Sequence, residues 1–119
     1  MTKIDVEGFK LGITGTRRGM SKSQRDKVTE ILSQRPREAH SGDCIGVDEQ
    51  FHGIAAGLWI KTVGHPPKNE VYRAFCKFTE SYEEKSYFER NRFLVNSVDV
   101  MICCPKEDHP PFLGGTGYT

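Results

Sequence analysis

Short runs of apolar and β-branched residues alternate along this chain with longer segments in which apolar residues recur at helical spacing. The short runs predict strands at Lys10–Thr14, Glu38–Ser41, Trp59–Val63 and Val98–Cys104. The longer segments predict helices from near Ser21, over Val47–Ala56 and over Tyr87–Ser97. Regular alternation of strand and helix is typical of a parallel α/β sheet with right-handed connections.

Local signals fix several boundaries of these elements. Ser21 and Gln24 match a capping box at the start of the first helix, and Arg35–Arg37, with its central proline, ends that helix. Gly57 is a suitable stop for the second helix. Residues 68–86 mix aromatic and charged side chains, and we expect a loop there with one or two helical turns.

The length of 119 residues fits one domain, residues 1–119. The net charge of +1 argues against a protein that mainly coats DNA or anionic membranes. No apolar stretch approaches the roughly 20 residues that span a bilayer, so we expect no membrane association and a cytoplasmic location. The four cysteines form no C-x-x-C pair, so they indicate free thiols rather than a metal site, and nothing points to a cofactor.

Three turns of small residues follow predicted strands. They are Thr14–Arg17, Gly42–Gly46 and Gly114–Thr119. Glycine lets backbone amides approach an anion closely, and the carboxyl ends of parallel strands meet at one edge of a sheet. We therefore expect a nucleotide or a related phosphate ligand at that edge.

Each candidate residue also has an ordinary structural interpretation. The Arg17 guanidinium suits a phosphate, but it also fits a solvated turn. Asp48 would line the ribose or base, or else stabilise the first turn of its helix. The glycine-rich end would cradle a phosphate, or else be a loose tail. The predicted ligand-binding residues are Gly15, Thr16, Arg17, Gly42, Asp43, Gly46, Asp48, Asn91, Gly114, Gly115, Thr116 and Gly117.

The third helix carries further candidates. Asn91 falls on its apolar stripe, where a buried amide needs partners, and Arg90 is next to it. Arg90 would serve the site, or else pair with a nearby glutamate at the surface. Glu83, Glu84 and Glu89 are candidates for a general acid or base, although a solvated helix face explains them better. His65, at the end of the third strand, would contact a ligand or lie in a loop.

Four motifs, in this order, resemble those of the SLOG superfamily, which includes DprA and the LOG ("lonely guy") nucleotide hydrolases. They are ITGTRRG after the first strand, SGDCIGVD after the second, ERN before the fourth and GGTGYT after it. The resemblance covers Leu11–Thr119. It implies an α/β, Rossmann-like three-layer sandwich with a mostly parallel sheet of at least four strands, and a nucleotide-derived ligand.

The resemblance also has consequences for activity and assembly. Arg90 matches the arginine of the LOG motif and is the candidate catalytic residue, whereas the glutamate of P-G-G-x-G-T-x-x-E is not reached before Thr119. The family's last helix and strand are also not reached, which implies a fragment or a sheet that a partner completes. The resemblance implies a homo-oligomer. We expect nucleotide binding or sensing first, N-glycosidic hydrolysis of a nucleoside monophosphate second, and DprA-like binding of single-stranded DNA third.

Overall fold

The computed structural model describes residues 8–106 and the backbone of residues 112–115. The helices are α1 (Lys22–Leu32), α2 (Val47–Gly57) and α3 (Tyr87–Ser97). The strands are β1 (Lys10–Gly15), β2 (Glu38–Ser41), β3 (Lys61–Gly64), β4 (Glu80–Ser81), β5 (Val100–Cys104) and β6 (Phe112–Gly115).

The strands form one sheet in the order β4-β3-β2-β1-β5-β6. Strands β1 to β5 are parallel to one another, and β6 is antiparallel to β5. β1 lies in the middle, with Leu11 opposite Ala39 of β2 and Val100 of β5. The predicted α/β class with a mostly parallel sheet is confirmed.

Helices cover both faces of this sheet. Leu11 and Ile13 point to one face and join the core cluster that includes Val28 of α1 and Phe51 of α2. Residues of the opposite parity point to the other face, where a side chain at Gly12 would meet Val98 at the end of α3. The fold is therefore a three-layer sandwich, with its main core between the sheet and the α1–α2 layer.

The predicted capping box at α1 is present. The Ser21 hydroxyl accepts from the Gln24 amide at 3.2 Å, and the Gln24 side chain accepts from the Ser21 amide at 3.0 Å. The Gln24 side-chain amide also donates to the Pro105 carbonyl at 3.0 Å. One cap therefore satisfies the start of α1 and attaches it to the end of β5.

Two predicted strands begin later than expected because helix caps occupy their first residues. Trp59 has a left-handed φ of 61° and donates its amide to the Ala56 carbonyl, so it closes α2 and is 92% exposed. Val98 is the C-cap of α3, and its side chain is buried. β3 therefore starts at Lys61 and β5 at Val100.

The segment 68–86 is not helical at any described residue. It crosses the carboxyl edge of the sheet as an extended strap and supplies β4, with Val63 opposite Glu80. The helical turns predicted there are wrong. Across the described part of the chain, no helix is both long enough and apolar enough to cross a membrane.

Two alanine substitutions would test this packing. A Cβ at Gly64 would overlap the Phe78 ring, so Gly64→Ala should lower the free energy of unfolding by about 1–3 kcal/mol. Gly53 lies in α2 with open space around it, so Gly53→Ala should raise that free energy by about 0.5–1 kcal/mol. Urea unfolding of both variants measures the difference, and equal effects would contradict the described contact between β3 and the strap.

Candidate functional site

The turns after β1 and β2 pack directly against each other at the carboxyl edge of the sheet. Gly46 has a φ of 91°, and a Cβ there would lie 2.5 Å from the Arg17 carbonyl carbon. The Val47 amide donates to the Thr16 carbonyl at 3.1 Å, and a Cβ on Gly15 would lie 2.7 Å from the Val47 side chain. The structure therefore brings these two predicted turns together, and both glycines permit their close approach.

A cleft of about 310 Å³ opens beside these turns. Its lining residues come from both turns, from the strap and from the start of α3: Arg17, Cys44, Asn69, Val71, Tyr72 and Tyr87. The Arg17 guanidinium lies 3.7 Å from the centre of the Tyr72 ring. This cleft thus combines an exposed cation with two partly exposed aromatic rings.

Thr16 orders the first turn from within. Its amide donates to the Cys104 carbonyl at 3.3 Å, and its hydroxyl accepts from the Arg18 amide at 3.2 Å. Its carbonyl also accepts from the Gly19 amide at 3.3 Å. The contacts that the structure gives to Thr16 are therefore structural, and they fix the backbone that carries Arg17.

Arg90 is buried beneath the strand ends, with 7% of the residue exposed. Its Nη1 atom donates to the Gly42 carbonyl at 2.5 Å and to the His65 carbonyl at 3.3 Å. A side chain at Gly42 would overlap this guanidinium, so the glycine provides the space for it. Arg90 lies 3.8 Å from the Cys44 sulfur but is not itself among the residues that line the cleft.

Asp48 lies in the first turn of α2 and is also buried. Burial raises the pKa of Asp48 to about 6, although the charge of Arg90 and hydrogen bonds from the Cys44 and Gly42 backbone act in the opposite direction. A carboxyl group that titrates near neutrality is typical of acid–base sites. Burial alone also raises the pKa of an acid that has a purely structural role.

Asp43 does not face the cleft, because the strap engages its whole carboxylate. One oxygen accepts from Arg73 Nε at 2.9 Å and the other from the Cys76 amide at 2.9 Å. The residue is 1% exposed and has a left-handed φ of 56°. The described contacts of Asp43 therefore position the strap, whereas the sequence pattern predicts contact with a ligand.

Asn91 is exposed, so its predicted place on a buried stripe is wrong. Its carbonyl oxygen accepts from Arg90 Nε at 2.7 Å. The side chain also lines an open groove on the far face of α3, together with Phe88 and Val95. Asn91 thus helps to orient Arg90 rather than line the cleft beside Arg17.

The glutamates near α3 have local structural roles. Glu84 pairs with Arg73 on the strap. Glu89 accepts from the Ser86 hydroxyl at 3.0 Å, where Ser86 caps the helix. Glu83 is exposed. The interpretation as a solvated face fits these residues better than that of an acid–base group.

Gly114 and Gly115 lie in β6 rather than in a turn at the carboxyl edge. Gly115 is opposite Val100, the first residue of β5, because β6 runs antiparallel. Both glycines therefore lie towards the amino ends of the parallel strands, whereas Arg17 lies at their carboxyl ends. They do not form a shared ligand site with the turn that carries Arg17. Thr116 and Gly117 lie outside the described residues.

A buried pair of histidines, His40 and His65, lies behind the site. The sequence pattern singles out His65 but not its pairing with His40. His40 Nδ1 is 2.8 Å from His65 Nε2, and His40 Nε2 is 2.7 Å from a Glu38 carboxylate oxygen. Both histidines are 1% exposed. The rings of Tyr82 and Phe93 pack on His65 at 5.0 and 5.3 Å.

The hydrogen bonds assign the protons in this chain of groups. The carboxylate can only accept, so His40 carries its proton on Nε2 and accepts at Nδ1 from His65 Nε2. His65 Nδ1 is then an unprotonated acceptor, and it has no partner among the described residues. Burial, together with the nearby charges of Arg90 and Lys85, lowers the pKa of His65 to about 3. Both histidines are therefore neutral in the folded protein near pH 7.

Comparison with solved structures shows a likeness in fold. No family model and no curated protein matches the sequence. Among solved structures, a structural-genomics target named TM1055 is similar, with a TM-score of 0.59 and 17% identity. The similar region covers 80% of this chain and 59% of TM1055, so the chain spans less than two thirds of that protein. At this identity the likeness shows the fold alone, which is Rossmann-like.

The buried histidines predict acid sensitivity. Unfolded histidine has a pKa near 6.5, so below that pH the unfolded chain binds more protons than the folded one, and stability falls as pH falls. His65 alone should cost about 1.4 kcal/mol per pH unit between roughly pH 6 and pH 4. Protonation of Asp48 below about pH 6 acts in the opposite direction over the same range and offsets most of the loss from His65, so the contribution of His65 is measured as a difference between variants.

His65→Gln keeps a donor for His40 and removes the titrating ring. Urea unfolding is measured at pH 7.5, 6 and 5. Between pH 6 and pH 5 the slope of stability against pH should be smaller than that of the wild type by about 1.4 kcal/mol per unit. The comparison at pH 7.5 gives the packing cost of the substitution alone. Parallel pH profiles for the two proteins would contradict the assignment of a neutral, buried His65.

Proposed function

We propose that this protein binds or senses a nucleotide or a nucleotide-derived phosphate ligand in the cleft at the carboxyl edge of its sheet. The observation that carries the proposal is Arg17. Its guanidinium is exposed at an aromatic cleft, and none of the described carboxylates lies within the 4.0 Å ion-pair distance of it. A fixed cation without an acidic partner is suited to an anionic ligand.

The chemistry of the cleft supports this class of ligand. The planar guanidinium of Arg17 presents paired donors that match a phosphate. Tyr72 and Tyr87 offer ring surfaces for a base, and the side-chain amide of Asn69 offers a donor and an acceptor for its edge. Ligands of open parallel sheets collect at this same edge. The three groups together fit an anionic ligand that also carries a planar ring.

The closer family assignment belongs to this proposal. The motifs at residues 13–19 and 41–48 resemble SLOG proteins and form the packed pair of turns at the site, which supports membership of that superfamily. Cytoplasmic location and homo-oligomerisation are proposed with it. Binding of single-stranded DNA is the third candidate, and a short oligonucleotide belongs in the ligand panel for that reason.

Isothermal titration tests the proposal. AMP, ADP, ATP and ADP-ribose are compared with adenosine and with the oligonucleotide. At least one phosphate-bearing compound should bind at sub-millimolar concentration, and Arg17→Met should weaken it roughly 10-fold or more, because a charge-assisted hydrogen bond contributes about 1.5–3 kcal/mol. Arg25→Met removes the same charge from an exposed site on α1 and should leave the affinity unchanged. Absence of binding by every phosphate compound would contradict the proposal.

Hydrolysis of the N-glycosidic bond is a second candidate, and the raised pKa of Asp48 is the observation that favours it. Such a reaction has an oxocarbenium-like transition state and needs a carboxylate beside the sugar. No carboxylate is among the described residues that line the cleft, and Asp48 is 8% exposed. Binding without cleavage is therefore the better supported activity.

Chromatography of AMP incubated with the protein measures whether free adenine is released. We expect no free adenine above the level of a protein-free control. Release of adenine by the wild type that is lost in Asp48→Asn would establish the hydrolase instead, and Asp26→Asn, an exposed carboxylate on α1, is the matched control.

A further inference from the structure

Half of the cleft is contributed by one irregular part of the strap, residues 69–76. Asn69, Val71 and Tyr72 are three of the six lining residues. Val71 is 73% exposed and Tyr72 is 40% exposed. The segment thus forms a wall of the cleft while much of its own surface remains in contact with solvent.

No apolar core holds this segment. Among the described residues, the buried hydrophobic set has no member between Val63 and Leu94. Phe75, near the middle of the segment, is 57% exposed and has a left-handed φ of 57°. Segments with few buried apolar contacts are those that open most readily in native proteins.

Polar contacts to the turn after β2 hold the segment in place. The Ile45 amide donates to the Tyr72 carbonyl at 2.9 Å, and the Ala74 amide donates to the Asp43 carbonyl at 2.8 Å. The two strongest attachments go to the Asp43 carboxylate, from Arg73 Nε and from the Cys76 amide, each at 2.9 Å. Asp43 therefore supplies both charge-assisted bonds between the segment and the turn after β2, and Arg73 also pairs with Glu84 farther along the strap.

Burial makes these bonds act together. Asp43 is 1% exposed, and a buried carboxylate is costly unless its oxygens are satisfied. Loss of the segment from the turn would leave that carboxylate either unpaired or newly hydrated. We therefore expect the bonds to Asp43 to be lost together rather than one at a time.

Both ends of the segment are fixed to the rest of the protein. On one side, the Lys68 amide donates to the Lys85 carbonyl at 2.9 Å. On the other, Thr62 and Thr79 exchange hydrogen bonds at 3.1 and 3.0 Å. A segment that is anchored at its ends and fastened in the middle by one carboxylate has the construction of a hinged lid.

We propose that residues 69–76 form a lid over the cleft, and that Asp43 is the positioning residue that holds this lid closed. The lid controls entry to the cleft and places Tyr72 beside Arg17. Its role as a gate for a ligand rests on the proposed function, but its opening is a property of the free protein.

Hydrogen exchange of the free protein at single-amide resolution tests the lid. Asp43→Asn replaces one accepting oxygen by a donor that neither Arg73 nor the Cys76 amide can use. Exchange at the amides of Ile45, Ala74 and Cys76 should become roughly 10-fold faster, while amides of β1 and β5 keep their wild-type rates. Glu83→Gln removes an exposed carboxylate from the strap outside the lid and should change none of these rates.

A second variant reaches the same attachment from the lid. Arg73→Met leaves Asp43 in place and removes its charged partner, so it decides the question if Asp43→Asn does not fold. Faster exchange confined to the lid amides in either variant supports the proposal. Equal acceleration of lid and core amides, or no acceleration in a folded variant, would overturn it.

Titration with AMP separates the lid from its ligand. If AMP binds, we expect saturating AMP to slow exchange at the lid amides of the wild type. We expect Asp43→Asn to bind AMP more weakly, in proportion to the fraction of the free variant that is open. If AMP binds but does not slow exchange at the lid amides, the gating role is overturned. If no nucleotide binds while the variants still open selectively, the proposed function fails and the lid stands.

Discussion

The guanidinium of Arg90 links the carboxyl ends of β2 and β3, because it donates to the Gly42 and His65 carbonyls that follow these strands. It also carries the charge that the buried carboxyl group of Asp48 requires. A buried cation of this kind is tolerated only where several acceptors converge on it. The carboxyl ends of β2 and β3 are therefore held at a fixed spacing, and the turn after β2, the strap and the cleft are all built on that spacing.

In the two turns at the carboxyl ends of β1 and β2, some residues hold the backbone in place and another faces the cleft. Gly15, Gly46 and Thr16 bring the backbones together, and the hydrogen bonds of Thr16 are directed to the protein itself. Arg17 is the member of this group whose side chain reaches the cleft. The glycines thus serve close packing between turns, and the charge that would attract an anion comes from one arginine held on their rigid backbone.

Much of the fold follows from local patterns in the sequence. The capping box of Ser21 and Gln24, the helix over Tyr87–Ser97 and the parallel arrangement of the central strands are all found where the sequence predicts them. Boundaries shift where a helix cap takes residues that resemble a strand, as Trp59 does. The direction of β6 depends on pairing with β5, which no local pattern in GGTG encodes.

The sequence predicts where the site residues lie better than it predicts what each side chain does. Arg17, Asp43 and Arg90 all lie at the expected edge, but the long-range partners of Asp43 and Arg90 decide what each side chain does. One sequence feature points to the histidine pair: Glu38 and His40 are two residues apart and therefore share a face of β2. The contact between His40 and His65 forms only when β3 pairs with β2. The sequence does not show it, because the two histidines are far apart along the chain.

The exposed position of Trp59 has a consequence for optical work on this protein. It is the only tryptophan, and 92% of it is already in contact with solvent in the folded state. Its emission spectrum should consequently resemble that of the unfolded chain and report little about the interior. The absorbance and emission of the phenol rings beside Arg17 are the intrinsic signals placed to respond when the cleft is filled.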